Sequence, residues 1–205
     1  MKRALIGLCM VVSVTAVFAG PASAANQTIT FNFHGTFAEA AWFTDSVFTY
    51  INVSRATQGQ ELSAFQNTNN FDKRGNFTGR TQTIVDVTSG FSFAIDSGKL
   101  SSASTSGSSL PATTCSYDAN RNLIGCENTT IDVNATWTGE GPIERGTSNE
   151  HFQSDGFKVT EHFNGTLRNA TASGSFGGLT LTTGDLEFAD LGITTRGSTD
   201  ICMGC

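Results

Sequence analysis

Lysine, proline and methionine are scarce in this sequence, and no helical periodicity runs through it. Only three prolines and three methionines occur in 205 residues. Beyond residue 24 lysine appears only as Lys73, Lys99 and Lys158. Basic side chains are therefore too few and too scattered to form a patch, which argues against nucleic acid and anionic lipid as partners. No segment after residue 24 is apolar enough to span a bilayer as a helix. Nowhere do apolar residues recur at a spacing of 3.6 for more than about a turn, which leaves no basis for an amphipathic helix.

The catalytic signatures are missing as well. The chain holds no G-x-S-x-G, no H-E-x-x-H and no glycine loop fit to cradle phosphate. Asp118-x-Asn120-x-Asn122 begins like a calcium loop, but Leu123 stands where that loop needs Gly and Thr129 where it needs the closing Glu. Leu110-Pro111-Ala112-Thr113 begins like a sortase signal, but Thr114 follows it and no hydrophobic tail does.

The beginning of the chain is informative. Lys2 and Arg3 precede an apolar run over 4–19, and Ala22-Ser23-Ala24 offers small residues where a signal peptidase reads them. This pattern predicts a secretory signal over 1–24, cleaved after Ala24, and a single mature domain over 25–205. The run is short for an uncleaved anchor. Cys9 lies inside it after Leu8, where a lipidation motif needs a small residue. Loss of Lys2 and Arg3 makes the formal charge of −6 two units more negative. The Ala-x-Ala ending fits a bacterial host and a secreted, extracellular product.

What fills the rest is Thr, Ser, Gly, Asn and Phe in alternation. Ile29, Phe31 and Phe33 alternate with Thr28, Thr30 and Asn32, and Ile131, Val133, Ala135 and Trp137 with Asp132, Asn134 and Thr136. Val47, Thr49, Ile51 and Val53 oppose Phe48, Tyr50, Asn52 and Ser54, and Val159, Phe163 and Leu167 share one side of a further strand. Leu179, Leu181 and Leu186 continue the pattern. Period 2 of this kind marks half-buried strands. Turn residues separate them: Asp155-Gly156, a hairpin dipeptide, and the loops 72–76 and 118–122. The Ser/Gly-rich stretch 101–109 reads as a surface loop or weak edge strand. About ten such strands need two faces or closure, so the expected fold is all-β, an antiparallel β-sandwich or a closed β-barrel.

Two internal echoes are visible. Residues 33–40 (FHGTFAEA) resemble 163–170 (FNGTLRNA), and 71–79 resemble 117–125. Their spacings differ, so they do not form a regular repeat. Either one hairpin-and-strand solution is used twice in one sheet, or β composition has converged.

Four cysteines follow the leader: Cys115, Cys126, Cys202 and Cys205. An even number in an exported chain reads as two disulfides, for which three pairings exist. A hairpin centred between Asn120 and Arg121 sets Cys115 opposite Cys126 and Tyr117 opposite Ile124, and directly opposed cysteines can bridge. Cys202 and Cys205 would then close a small structural loop. Redox chemistry at that C-x-x-C lacks the helix N-terminus that lowers a thiol pKa. Four-cysteine zinc is disfavoured in an oxidising compartment.

Candidate chemistry concentrates in 150–163. A two-residue turn at Asp155-Gly156 places Glu150 opposite Glu161, on the side of Phe152 and Val159. On an enclosed face such a pair would hold a proton and serve as acid and base; at an exposed hairpin end both glutamates simply sit in water. His151 and His162 lie diagonally on the other face, where a third ligand such as His34 would complete a metal site. Trp137 continues an apolar row and belongs to the core. Trp42 has no evident face, and either tryptophan would stack on a sugar ring if exposed. Seven N-x-S/T sequons (Asn26, Asn52, Asn76, Asn128, Asn134, Asn164, Asn169) matter only in a host that glycosylates exported proteins. The residues favour a non-enzymatic binding or structural surface protein with an unknown extracellular ligand and no cofactor. The alternative is a barrel enclosing a small apolar ligand, with isomerase or hydrolase chemistry on Glu150 and Glu161.

Overall fold

A computed structural model describes residues 27–203 apart from 45, 58, 121 and 155–156; the side chains of 27–33, 148, 150–159, 161 and 196–203 are outside that description. The leader, Cys9, Cys205 and the Asp155-Gly156 turn therefore lie outside the described residues.

Alternation becomes strand almost everywhere. The strands are β1 (Gln27–Thr44), β2 (Val47–Ala56), β3 (Gly59–Phe71), β4 (Phe77–Val87), β5 (Phe91–Ile95) and β6 (Ser102–Asp118). After them come β7 (Leu123–Gly139), β8 (Glu144–Ser154), β9 (Phe157–Phe176), β10 (Leu179–Leu181) and β11 (Leu186–Met203), with one 3₁₀ turn at Thr183–Asp185. All belong to one antiparallel sheet.

That sheet closes on itself. β4 pairs the second half of β6 and β5 the first, so β4 and β5 form one interrupted stave. β7 and β8 pair successive stretches of β9 in the same way, as β10 and β11 do on its other side. Eight staves result: β1, β2, β3, β4/β5, β6, β7/β8, β9 and β10/β11. Each pairs with its neighbour in sequence, and β11 returns to β1. The fold is an up-and-down β-barrel, which removes sheet edges over its closed length.

Side-chain parity follows the pleat. Ala38, Ala40 and Trp42 of β1 point inward with Ile51 and Val53, Leu62 and Ala64, Val85, Val133, Ala135 and Trp137, Ala172, Phe176 and Leu191. The interior is filled by side chains. Many are alanines, which let the two indoles and Phe176 fit in so narrow a ring. The Trp137 Nε1 donates to the backbone oxygen of Glu39 at 2.9 Å, tying β7 to β1 across the interior. On β6, β7 and β9 the opposite parity is Ser, Thr, Asn and Asp, including Ser104, Ser106, Asp132, Asn134, Ser173 and Ser175. Apolar-in and polar-out over these staves is the reverse of a barrel that faces lipid. Over β11, β1, β2 and β3 the outer face instead carries a tilted ring ladder of Phe188, Tyr50, Phe65 and Phe48.

The barrel has two different ends. The start of β1, the end of β11 and the adjoining ends of β2 and β3, β5 and β6, and β8 and β9 lie at the tail end. There Leu100 takes a left-handed backbone (φ 49°), is buried, and plugs the opening. Its loop is held by Asp96, which accepts from Ser101 Oγ and from the Gly98 and Lys99 amides. Gly139 donates to the Ser101 carbonyl at 2.9 Å and leaves no room for a Cβ against the Leu100 carbonyl. Inward-pointing Gln60 donates to the Phe91 carbonyl at 3.2 Å, and Arg55 binds the Phe93 carbonyl and lies over its ring. Beyond this plug β1, β11, β9 and β8 continue as a four-stranded tail sheet.

The stretch 101–109 departs from its expectation. Residues 102–107 pair with β5 on one side and β7 on the other, well inside the sheet. Small residues serve there because Phe93 and Trp137 stand on the neighbouring strands. A bulge follows, with Ser109 at φ 53° and its amide donating to Asp132 Oδ1 at 2.7 Å.

Both echoes have structural counterparts. Residues 35–39 and 165–169 flank β11 at the same height: Gly35 and Gly165 both pair with Thr194, and Glu39 and Asn169 both with Asp190. Each glycine lies against a neighbouring carbonyl, of Arg55 and of Ile193, where a Cβ would collide. The loops 72–76 and 118–122 are twins. Asp72 Oδ1 accepts from the Arg74 and Asn76 amides, and Asp118 Oδ1 from those of Asn120 and Asn122. In each, the Asn amide group donates to the other carboxylate oxygen.

Candidate functional site

The turn end is built differently from the tail end. Above the apolar core, the inward positions of β2, β3, β4 and β6 become hydroxyls and amides. Register sets Trp42 beside Thr49, Thr49 beside Gln66, Gln66 beside Thr83 and Thr83 beside Thr114. Two hydrogen bonds confirm the shared face: Gln66 Nε2 donates to Thr49 Oγ1 at 3.1 Å, and the Thr83 and Thr114 hydroxyls lie 3.0 Å apart. Thr68, Thr81 and Ser116 form the next row outward.

By register these side chains form a polar, inward-facing ring at the turn end, the cup. Its floor is Trp42, with Thr49 beside it, both buried. Gln66, Thr83 and Thr114 are half-buried and reachable from outside. On the facing staves the core continues with Leu181, Phe176, Leu186 and Ile131. β7 joins β9 only from Val133 to Gly139, so 123–130 have no described neighbour on that side and the cup has a lateral gap. Glu127, exposed, pairs with Thr114 and so stands in inward register near that gap. Arg80 faces outward, over the Tyr117 ring at 4.7 Å.

The electrostatics of the cup are neutral, and its floor is incompletely satisfied. Trp42 Nε1 and Thr44 Oγ1 are buried without a hydrogen-bond partner among the described residues. A buried unpaired donor costs about 1–3 kcal/mol. By contrast Trp137, the other indole, has its acceptor. Both tryptophans are buried, so neither stacks on a sugar ring at the surface.

The perturbed carboxylates belong to the turn-end loops and to the outer face. The side-chain amide of Asn76, then the Asn76 and Arg74 backbone amides, hold Asp72 below the usual carboxylate range. Asn122 does the same for Asp118. On the outer face burial raises Asp190, with the Glu144 charge adding to it, and burial raises Glu61, with Asp86 adding. Asp72 and Asp118 spend their carboxylate oxygens on their own loops, and Asp190 and Glu61 lie on the outer face.

The residues singled out by sequence fall in the tail sheet or at a hairpin tip. Glu150 pairs with Glu161 and Phe152 with Val159 in backbone register, with Ser154 and Phe157 flanking a two-residue connection. The Glu150, Glu161 and His151 side chains are outside the described residues. His162 is exposed, its Nδ1 2.6 Å from Asn149 Oδ1, and His34 is exposed two strands away on β1. No group of three His, Cys, Asp or Glu side chains that could hold a metal occurs among the described residues.

Cys115 and Cys126 are directly opposed and bridged, with Cα atoms 4.1 Å apart. The expected Tyr117–Ile124 pair is displaced by one: a bulge after Ser116 sets Tyr117 opposite Leu123. Cys202 pairs in backbone register with Thr28 and Lys158, and the expected bridge to Cys205 falls outside the described residues.

Compared with known proteins, the chain matches no family model, no curated protein and no solved structure.

The cup itself was not read from sequence. Thr49, Gln66, Thr83 and Thr114 sit in segments where both faces are polar, so alternation does not say which face is inside. The one available signal was the row Val47, Thr49, Ile51, Val53, in which a hydroxyl shares the core-facing parity.

Proposed function

We propose that this chain is an exported, non-enzymatic binding module that takes a small, neutral, hydroxyl-rich ligand in the cup lined by Gln66, Thr83 and Thr114. The observation that carries this reading is the buried Trp42 indole N–H, without an acceptor among the described residues, beneath a ring of uncharged donors and acceptors. Hydrogen-bonding groups that converge next to an apolar wall are the usual composition of a small-ligand site. Among the described residues the lining holds no cation, which disfavours anions, and no converging carboxylates, which disfavours metal ions. A ligand hydroxyl would compete with Gln66 for Thr49 and offer the indole its acceptor. Export is supported by the leader-like start of the sequence and by the Cys115–Cys126 bridge, which persists in oxidising compartments.

The test is thermal unfolding of the purified protein against neutral sugars and polyols, with fatty acids and divalent ions as competitors for the assignment. At a hundredfold excess over Kd a ligand adds about 2.7 kcal/mol, which raises Tm by about 5–10 °C at this size. Thr83→Val with Thr114→Val should remove that rise. Stabilisation by fatty acid or divalent ion alone, with none by neutral polyols, would overturn the reading.

A second reading, acid–base catalysis, is favoured by one observation: the Glu150–Glu161 backbone pairing. Opposed carboxylates share a proton when enclosed. Glu161→Gln tests it, since turnover or binding that is unchanged in this variant removes the pair from consideration.

A further inference from the structure

We propose that the protein assembles head-to-tail with further copies of itself, β8 of one copy adding to β1 of the next at the edges of the tail sheet. Closure protects the barrel, but not this extension. β1 pairs with β2 only from Gly35 onward, so along 27–34 it has β11 on one side and no described strand on the other. β8 has β9 on one side and no described strand on the other. An unpaired edge offers a row of backbone donors and acceptors to another chain.

Three features choose a second copy as the occupant. The first is direction. β1, β11, β9 and β8 alternate, so an even number of strands makes the two outer edges run oppositely. A copy displaced sideways, without rotation, then lays its β1 antiparallel to β8 and continues the sheet. The second is length: eight residues of free β1 edge extend about 27 Å at ~3.4 Å per residue, and β8 is long enough to match them. The third is the lack of protection. Neither 27–34 nor 147–154 contains Pro or Lys, the usual edge guards. Glu150 is the only carboxylate in either stretch, so it meets no like charge in the partner. The other exposed edges differ: β10 has three residues and β5 five, and the free stretch 123–130 of β7 lies at the turn end, where no second free edge of that length is found among the described residues. Contact between two different patches does not close by translation, so the product is an open chain of copies and not a dimer.

Sedimentation velocity on the purified protein over rising concentration tests this, with proline placed in one edge at a time. In β1 the proline replaces Ile29 or Thr30, and in β8 Glu150 or His151. Only one of two adjacent residues turns its N–H outward, and the variant that keeps the native far-UV spectrum is used. The expected result is a ladder of dimer, trimer and larger species for the unmodified chain. Each folded variant alone should be monomeric, and an equimolar mixture of the two should give dimers only, joined through the one intact edge of each. An unmodified chain that stays monomeric throughout would overturn the proposal. So would dimers of the β8-blocked variant alone, which would mean β1 pairing with β1. The cup lies at the opposite end of the barrel, so ligand stabilisation and assembly fail independently.

Discussion

The two tryptophans allow one chemical deletion to be made twice in different hydrogen-bonding contexts. Trp42 and Trp137 are both buried in the same interior. Trp→Phe at either site removes the same ring atoms, which costs about 1–2 kcal/mol in transfer and cavity terms together. At Trp137 the change also strips the Glu39 carbonyl of its donor, adding about 1–3 kcal/mol. At Trp42 it removes a donor that has no acceptor among the described residues, which offsets the packing loss by a similar amount. Trp137→Phe should therefore destabilise by about 2–5 kcal/mol and Trp42→Phe by about 1 or less. Urea unfolding followed by circular dichroism measures both, and an unchanged m-value licenses the comparison. Equal losses, or a larger loss at Trp42, would refute the view that the Trp42 indole lacks a partner.

Other consequences follow from single features. Cys115→Ser with Cys126→Ser opens a loop of sequence separation 11. On the chain-entropy account it should cost about 2–3 kcal/mol, lowering Tm by about 5–12 °C without loss of the β spectrum; no change in Tm would contradict the bridge. Asp72 and Asp118 have folded pKa values below their unfolded ones. Their stabilising contribution is complete above the unfolded pKa and is lost as pH falls through the folded one, so stability should fall on acidification below about pH 4. The sign is checked by a pH series of Tm on the protein and on Asp72→Asn with Asp118→Asn, which should lose less on acidification. Gly35→Ala and Gly165→Ala drive a Cβ into a carbonyl oxygen and should each cost more than about 2 kcal/mol. Gly146→Ala, with open space around it, should stay within about 0.5 kcal/mol, and chemical denaturation would separate the three.

Much of the fold was legible because side-chain alternation and turn chemistry agree along most of the chain. The register of two hairpins followed from their turns: Cys115 against Cys126, and Glu150 against Glu161. Pairing beyond Ser116 was displaced by one residue, because a bulge is an extra residue in one strand that period 2 cannot announce. Closure was not legible. Breaks at 88–90, 140–143 and 182–185 divide single staves, and only long-range pairing shows that β4 and β5 serve the same neighbour. Ser and Gly over 101–109 look like loop until Phe93 and Trp137 are seen beside them. The twin Asp–Asn loops were visible as an echo, and their shared hydrogen bonds give the echo a physical cause. Faces carry the remaining gap: Gln66-Asn67-Thr68 and Thr81-Gln82-Thr83 offer no apolar side to mark the interior. The cup therefore needed curvature, while the glutamate and histidine candidates could be found by type and spacing alone.

Indole N–H resonances read the central claim most directly, since the chain holds two tryptophans. With a neutral polyol or sugar that raises Tm, the Trp42 signal should shift as its N–H gains an acceptor. The Trp137 signal, already bonded to the Glu39 carbonyl, should stay in place. A titration in which neither resonance moves, or only that of Trp137 does, contradicts binding at the cup.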